Sequence, residues 1–236
     1  MENMIEIFNE NGELKSREQF LKEMELVYDS IGEEINQGLF DEVTNPETQI
    51  EVESTLETFD FLERSVYLTE EITPDHANSV FEMIKFWNKI DETEQVPIEE
   101  RKPIQIYINT PGGDLNAVFS IISSIKISKT PVHTINIGTA YSGGFFICLV
   151  GHKRYGLRDT SFMFHEGAAM DEGDSHKILQ HIEFYKHQLV RLKDIVISNS
   201  KITDEEYEKH KKDDWFMSAE DAITNGVIDE IIETIV

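Results

Sequence analysis

The sequence predicts an α/β fold in which short buried strands alternate with amphipathic helices. Short apolar runs recur along the chain, and helical patterns follow most of them. Glycine-rich turns come directly after two of the predicted strands. The chain has 236 residues and is 39% hydrophobic, which is enough to bury a substantial core.

The chain is expected to divide into an acidic N-terminal extension over residues 1–52, partly helical, and a folded domain over residues 53–236. Ser16 is a candidate N-cap for a helix in the extension. The apolar residues that follow it at near-helical spacing are Phe20, Leu21, Met24, Val27, Tyr28, Ile31 and Ile35. Packing on the main body, contact with a partner and a free arm all stay open for this segment.

The folded domain is predicted to begin with the strand Ser65–Leu68 and a helix that starts at Pro74, a favoured first helical residue. Residues 91–101 are acidic and predict an exposed loop. The alternating residues 104–108 predict a second strand, which runs into a Pro-Gly-Gly turn at 111–113. Such a turn leaves main-chain N–H groups open to solvent. A helix with Ala117, Val118, Ile121, Ile122 and Ile125 on its buried face follows.

A third predicted strand, with Val132 and Ile135 among its apolar residues, leads to a turn with Ser142 at the head of an apolar helix over 143–150. The N-terminus of a helix offers unpaired N–H groups and the positive end of its dipole. A serine in this position suits nucleophilic catalysis, with the next N–H as an oxyanion donor. Serine is also a favoured helix N-cap, so a structural role stays open at this point.

The last third of the chain continues the alternation. The strand Ser161–Phe164 places His165 at its end, and a long helix is predicted from about Ser175 to Ser200. A short helix near Thr203, an extended segment over 215–218, a helix from Ala219 and a strand-like tail over 227–232 complete the prediction.

The acidic balance argues against two classes of partner. The chain carries 46 acidic against 21 basic residues, a net charge of -25. Because phosphate contacts need clustered Lys and Arg, neither nucleic acid nor an anionic membrane surface is expected to bind. No basic and then apolar leader opens the sequence, and residues 143–150 are too short to span a bilayer. The expected location is the cytoplasm.

The single cysteine, Cys148, lies inside the apolar helix and is predicted to be a core residue. One cysteine forms no internal disulfide, which agrees with a reducing compartment. The histidines outside the candidate site lack metal-ligand spacing with cysteine or carboxylates, so no metal site is expected.

Four motifs carry a resemblance to a known family. Residues 107–113 read Tyr-Ile-Asn-Thr-Pro-Gly-Gly, and residues 138–144 read Gly-Thr-Ala-Tyr-Ser-Gly-Gly. Residues 161–166 read Ser-Phe-Met-Phe-His-Glu, and residues 216–222 read Phe-Met-Ser-Ala-Glu-Asp-Ala. In this combination the chain resembles the ClpP family, the proteolytic subunits of ATP-dependent Clp proteases. The resemblance covers roughly residues 54–235. It implies a ClpP/crotonase-like fold of stacked strand-helix units with a protruding helix-strand handle.

The resemblance also implies a catalytic site. Ser142 becomes the nucleophile, His165 the general base, and the main-chain N–H groups of Gly113 and Gly143 the oxyanion hole. Each role agrees with the chemistry expected at a strand end, because a serine hydroxyl becomes nucleophilic when an imidazole takes its proton.

The third catalytic position departs from the family pattern. The family places an aspartate six residues before the phenylalanine of Phe-Met-Ser, and here that residue is His210. The predicted triad is therefore Ser142, His165 and His210, with a neutral imidazole in place of a carboxylate. Asp213 and Asp214, close in sequence, and Asp171 are further candidates for the same role.

The resemblance implies a serine endopeptidase that forms a homo-oligomer of heptameric rings stacked in pairs. Unfolded polypeptides or peptides would be its substrates, delivered by an AAA+ Clp ATPase of the ClpX or ClpA/ClpC type. The chain itself is expected to need no cofactor, since it has no Walker-type glycine loop and ATP would be used by the partner.

Three other functions are each compatible with part of the sequence. A catalytically weak or inactive ring subunit with a structural or regulatory role is favoured by the altered third position. An acyl-CoA enzyme of the crotonase fold works without a serine-histidine pair, so the presence of both Ser142 and His165 disfavours it. An α/β-hydrolase is disfavoured because its acid lies between the serine and a distant histidine in chain order.

Overall fold

The computed structural model describes residues 60–61, 63–167 and 174–234. Contacts within the chain divide it into two compact units, Met1–Glu63 and Arg64–Val236, and the second is described below. The predicted acidic extension over 1–52 and its boundary with the folded domain lie outside the described residues.

The fold class is confirmed as mixed α/β. Within the described residues seven strands form one sheet, and five of them run in the order β1-β2-β3-β4-β7 with parallel pairing throughout. Strand β5 pairs in parallel with β3, and β6 pairs antiparallel with β5. The strands are β1 Ser65–Leu68, β2 Ile104–Thr110, β3 Val132–Tyr141, β4 Lys153–Leu157, β5 Ser161–Phe164, β6 Trp215–Ser218 and β7 Glu230–Ile232.

Six α-helices are found in the same ranges. They are α1 Pro74–Thr93, α2 Leu115–Ile127, α3 Gly143–Leu149, α4 Ser175–Asn199, α5 Asp204–His210 and α6 Ala219–Thr224. The predicted start of α1 is confirmed: Thr73 is its N-cap, forms a capping box with His76, and precedes Pro74 in the first turn. None of these helices has the length and apolar character that crossing a bilayer requires.

A central part of the core lies where α3 packs against β3 and β5. Every residue of α3 is buried, as expected of a helix that is apolar on all sides. Phe145 packs against Phe164 with ring centroids 5.6 Å apart. Cys148 is fully buried there, and burial raises the pKa of its thiol to about 12. The predicted core role of this cysteine is confirmed.

Helix α4 is buried only in its second half. Its buried residues are Gln188, Leu192, Ile195 and Val196, whereas most side chains between Ser175 and His187 are exposed. The first half therefore projects from the body of the domain, as the helical part of the predicted handle should. The residues that would supply its strand, 168–173, lie outside the described part of the chain.

The secondary structure differs from the prediction in two places. Strand β4 is absent from the prediction, because its five residues include Lys153, Arg154 and Gly156 and lack a strand-like apolar pattern. The prediction that Asp91 lies in an exposed loop is wrong, because it lies in α1 and is only 2% exposed. Its burial is explained by a partner that is distant in sequence, Arg64.

Arg64 and Asp91 form a buried ion pair that joins the start of β1 to α1. Two guanidinium N–H groups of Arg64 donate to the two carboxylate oxygens at 2.7 and 2.8 Å. The Thr130 hydroxyl donates to the same carboxylate at 2.7 Å, and the guanidinium also lies 4.2 Å from the Trp87 ring centroid. These donors replace the hydrogen bonds to water that the Asp91 carboxylate loses on burial.

Replacing Arg64 by methionine should lower the free energy of unfolding by about 3–5 kcal/mol, because the Asp91 carboxylate would stay buried without its cation. Urea unfolding followed by tryptophan fluorescence measures the change. Arg158→Met is the matched control, since Arg158 pairs with Glu233 at the surface, where the side chains are 60% and 71% exposed. Its urea midpoint should hardly change. Equal losses in the two variants would contradict a bracing role for the buried pair.

Candidate active site

Ser142 lies in a strained turn between β3 and α3. Its backbone angles are φ 50° and ψ −113°, a region that non-glycine residues rarely adopt. Strain of this kind costs about 1–3 kcal/mol and is concentrated at functional sites. The main-chain N–H of Ser142 donates to the carbonyl of Met163 at 2.9 Å, which holds the turn against β5. The Ser142 hydroxyl makes no capping hydrogen bond to α3, so the simple N-cap role is not observed.

His165 is brought to this serine by the pairing of β3 with β5. Tyr141 lies opposite Met163 in the parallel register, so the residue that follows each strand enters the same region. The Nε2 atom of His165 lies 2.8 Å from the Ser142 Oγ. This is a good hydrogen-bond distance, and it is the pairing that transfer of the serine proton requires.

Asp214 is the third side chain of the site, next to His165. Strand β6 runs antiparallel to β5 with Trp215 opposite Phe164, so the next position places Asp214 opposite His165. The Oδ1 atom of Asp214 lies 3.0 Å from the Nδ1 of His165. With the imidazole neutral, this carboxylate favours the tautomer that carries its proton on Nδ1 and leaves Nε2 free to accept from Ser142.

The prediction that His210 holds this third position is wrong. His210 is the last residue of α5, and its ring stacks on Trp215 with centroids 4.1 Å apart and planes at 20°. The count of six residues back along the chain selects His210, whereas the strand register selects Asp214, two residues before Phe216. Asp171 lies outside the described residues. Asp214 is among the further candidates from the sequence, but the antiparallel pairing of residues 161–164 with 215–218 that places it opposite His165 is seen only in the structure.

The glycine turn after β2 lies against the serine turn. A Cβ atom on Gly112 would lie 2.7 Å from the Cβ of Ser142 and 2.9 Å from the Gly143 nitrogen. A Cβ on Gly143 would lie 3.5 Å from the Gly113 nitrogen. The Ile72 N–H donates to the Gly112 carbonyl at 2.7 Å and fixes the turn. The two main-chain nitrogens predicted to form an oxyanion hole therefore lie together beside Ser142.

Replacing Gly112 by alanine should lower the rate of serine chemistry by about 100-fold, because the added methyl would displace Ser142 from its contact with His165. The measurement is peptide hydrolysis per folded subunit. Gly167→Ala is the control: Gly167 also has a positive φ, of 83°, but among the described residues a Cβ there would meet just the Tyr185 hydroxyl at 3.6 Å, an ordinary van der Waals contact. We expect the control to lose less than about threefold. Equal losses of rate in the two variants would indicate that backbone strain, and not displacement of Ser142, lowers the rate.

No three histidine, cysteine or carboxylate side chains gather as a metal site would require, in the ranges that the structure describes. Arg154, on β4, has a structural role. Its guanidinium donates hydrogen bonds to the Asp229 carboxylate and to the carbonyls of Asn199 and Gly226. The hydrogen bonds from Arg154 lower the pKa of the Asp229 carboxyl despite the opposing effect of its burial.

Comparison with known proteins gives a family match over most of the chain. Residues 49–235 match the model of the Clp protease family. A protein of Prochlorococcus marinus (strain MED4) named ATP-dependent Clp protease proteolytic subunit 2 is 34% identical over 72% of this chain and 83% of its own length. A Synechococcus protein named ATP-dependent Clp protease proteolytic subunit 3 is 32% identical over 72% of this chain and 83% of its own.

A similar likeness extends to a different bacterial group. The ATP-dependent Clp protease proteolytic subunit of Streptococcus pyogenes (serotype M5, strain Manfredo) is 32% identical over 72% of this chain and 85% of its own length. Because the family match spans the sheet and the turns that hold Ser142 and His165, and these relatives are 32–34% identical over 72% of this chain, the chain belongs to the Clp protease family as a ClpP-type member.

Proposed function

We propose that this chain is the serine endopeptidase subunit of a self-compartmentalising ring protease, with Ser142 forming an acyl-enzyme. The observation that carries the proposal is the continuous row of hydrogen bonds from Asp214 through His165 to Ser142. A serine, an imidazole and a carboxylate in this order are the groups that acyl transfer requires. The names of the relatives support a peptidase of the ClpP kind.

In the proposed mechanism the Ser142 Oγ attacks the scissile carbonyl as its proton passes to the Nε2 of His165. The oxyanion that forms is stabilised by the main-chain N–H groups of Gly143 and Gly113, and the first N–H groups of a helix are free for this purpose. His165 then donates the proton to the leaving amine, and a water molecule hydrolyses the acyl-enzyme by the same steps. Asp214 stabilises the imidazolium in both halves of the reaction.

The projecting half of α4 supports assembly with further copies of the chain. Leu179, Ile182 and Phe184 are exposed on it, and large apolar side chains grouped on one helix favour contact with a partner. We propose a homo-oligomer of heptameric rings stacked in pairs, as in the family. An AAA+ Clp ATPase of the ClpX or ClpA/ClpC type would deliver unfolded polypeptides and would use the ATP, in the cytoplasm and without a cofactor on this chain.

The second candidate, a weak or inactive ring subunit, depends on the absence of a carboxylate at the third position. Asp214 supplies a carboxylate at 3.0 Å from His165, so the altered third position no longer favours this candidate.

The proposed function is tested with the purified chain and a fluorogenic peptide. Hydrolysis should be abolished by a fluorophosphonate, which reacts with activated serines, and should be unaffected by a metal chelator. The mass of the active particle, measured on the same sample, reports the ring assembly. A peptidase rate that survives the fluorophosphonate and falls with the chelator would contradict serine chemistry.

A further inference from the structure

Glu166, the residue after His165, forms hydrogen bonds through its main-chain N–H, its main-chain carbonyl and its carboxylate. Its main-chain N–H donates to the Lys211 carbonyl at 3.2 Å, and its own carbonyl accepts from the Tyr185 hydroxyl at 3.1 Å. Its carboxylate accepts from the Tyr207 hydroxyl at 2.9 Å. The end of β5 is thus tied to α4, to α5 and to the loop that follows α5.

Tyr207 is the buried member of this set. Its side chain is fully buried, and its ring lies 5.1 Å from that of Phe164. Burial and the neighbouring Glu166 carboxylate raise the pKa of Tyr207, so its hydroxyl keeps the proton that it donates to Glu166. A buried hydroxyl without a partner is costly, which makes this bond a firm link between α5 and the end of β5.

Asp214 depends on its surroundings for its position. Its side chain is 59% exposed, and within the described ranges its carboxylate has one hydrogen-bond partner, His165. The loop in front of it is held by the main chain, since the Asp213 N–H donates to the His210 carbonyl at 3.0 Å. The distance between Asp214 and His165 is therefore set by the pairing of β6 with β5 and by the contacts that join the loop after α5 to the end of β5.

We propose that Glu166 and Tyr207 are positioning residues that hold His165 between Ser142 and Asp214. The inference rests on the proposed function, since it assigns a role in the same serine chemistry. Neither residue touches the reacting atoms, and both act through His165. Small displacements of a catalytic group are costly, up to about 100-fold in rate for 1 Å, so loosening this link should lower the rate by about tenfold.

Tyr207→Phe tests the proposal because it removes the hydroxyl and keeps the buried ring. The rate constant for labelling of Ser142 by a small fluorophosphonate should fall about tenfold, and kcat for a peptide should fall equally with KM unchanged. Glu166→Gln keeps an oxygen that accepts from Tyr207 and should retain most of the rate. Glu166→Ala should fall as far as Tyr207→Phe, and the double variant little further, since both remove the same bond.

Tyr155→Phe, on β4 and outside this set, is the matched control and should be labelled at the wild-type rate. Rates are taken per assembled subunit, and melting temperatures are measured for every variant, so loss of folding is separated from loss of positioning. If Tyr207→Phe is labelled at the wild-type rate, the inference is overturned and the proposed function stands. The same conclusion follows if Glu166→Gln is labelled as slowly as Glu166→Ala. A wild-type protein that is not labelled at Ser142 would overturn the proposed function and the inference with it.

Discussion

Replacing Ser142 by alanine is expected to lower peptide hydrolysis by about a million-fold, the loss that removal of the nucleophile causes in a serine peptidase. The Ser142 Oγ is the atom 2.8 Å from the Nε2 of His165, and without it the imidazole has no hydroxyl to activate. Alanine and serine tolerate the φ of 50° equally poorly, so the fold should be unaffected. The measurement is the hydrolysis rate of a fluorogenic peptide, with light scattering on the same sample to show that the assembly is intact.

Ser123→Ala is the matched control for this substitution. Ser123 is exposed on α2, and its hydroxyl donates to the Phe119 carbonyl one turn earlier rather than to a residue of the site. Its rate should equal that of the wild type. An intact Ser142→Ala assembly that kept more than about one hundredth of the wild-type rate would remove Ser142 from the mechanism.

Replacing Asp214 by asparagine is expected to lower kcat by about 10⁴-fold, the loss seen when the acid of a serine triad becomes an amide. The amide would keep the shape of the side chain but lose the charge that stabilises the His165 imidazolium. It would also present an N–H group to Nδ1 and favour the wrong tautomer. Steady-state kinetics at neutral pH, with assembly checked in parallel, measures the effect.

His210→Gln distinguishes this assignment from the one made by counting along the chain. His210 stacks on Trp215, and in the described residues the Nδ1 of His165 is paired with Asp214 instead, so its replacement should change kcat by less than about threefold. A large loss in His210→Gln together with a small loss in Asp214→Asn would restore His210 to the third position.

The parts of the site that follow from local sequence could be predicted. A serine between a strand and an apolar helix, and a histidine at the end of the next strand, are read from patterns of a few residues around Ser142 and His165. The glycine turn at Gly112 and Gly113 is predictable for the same reason, since close approach of the backbone there leaves no space for a Cβ.

The parts that local sequence does not predict depend on partners distant along the chain. Asp214 meets His165 through an antiparallel register across 49 positions, which no local pattern reveals. The sequence around Asp91 predicts a loop. In the structure Asp91 is buried and its charge is neutralised by Arg64, 27 positions away. The charge of Asp91 suggests exposure, and only its three-dimensional partner explains its burial.

Covalent labelling measures whether His165 activates Ser142. The assembled chain is treated with a fluorophosphonate and digested, and the modified residue is located by mass spectrometry. We expect one adduct, on Ser142, that forms at a negligible rate in His165→Ala. No adduct on Ser142, or an adduct that forms equally fast when His165 is absent, would contradict activation of Ser142 by His165.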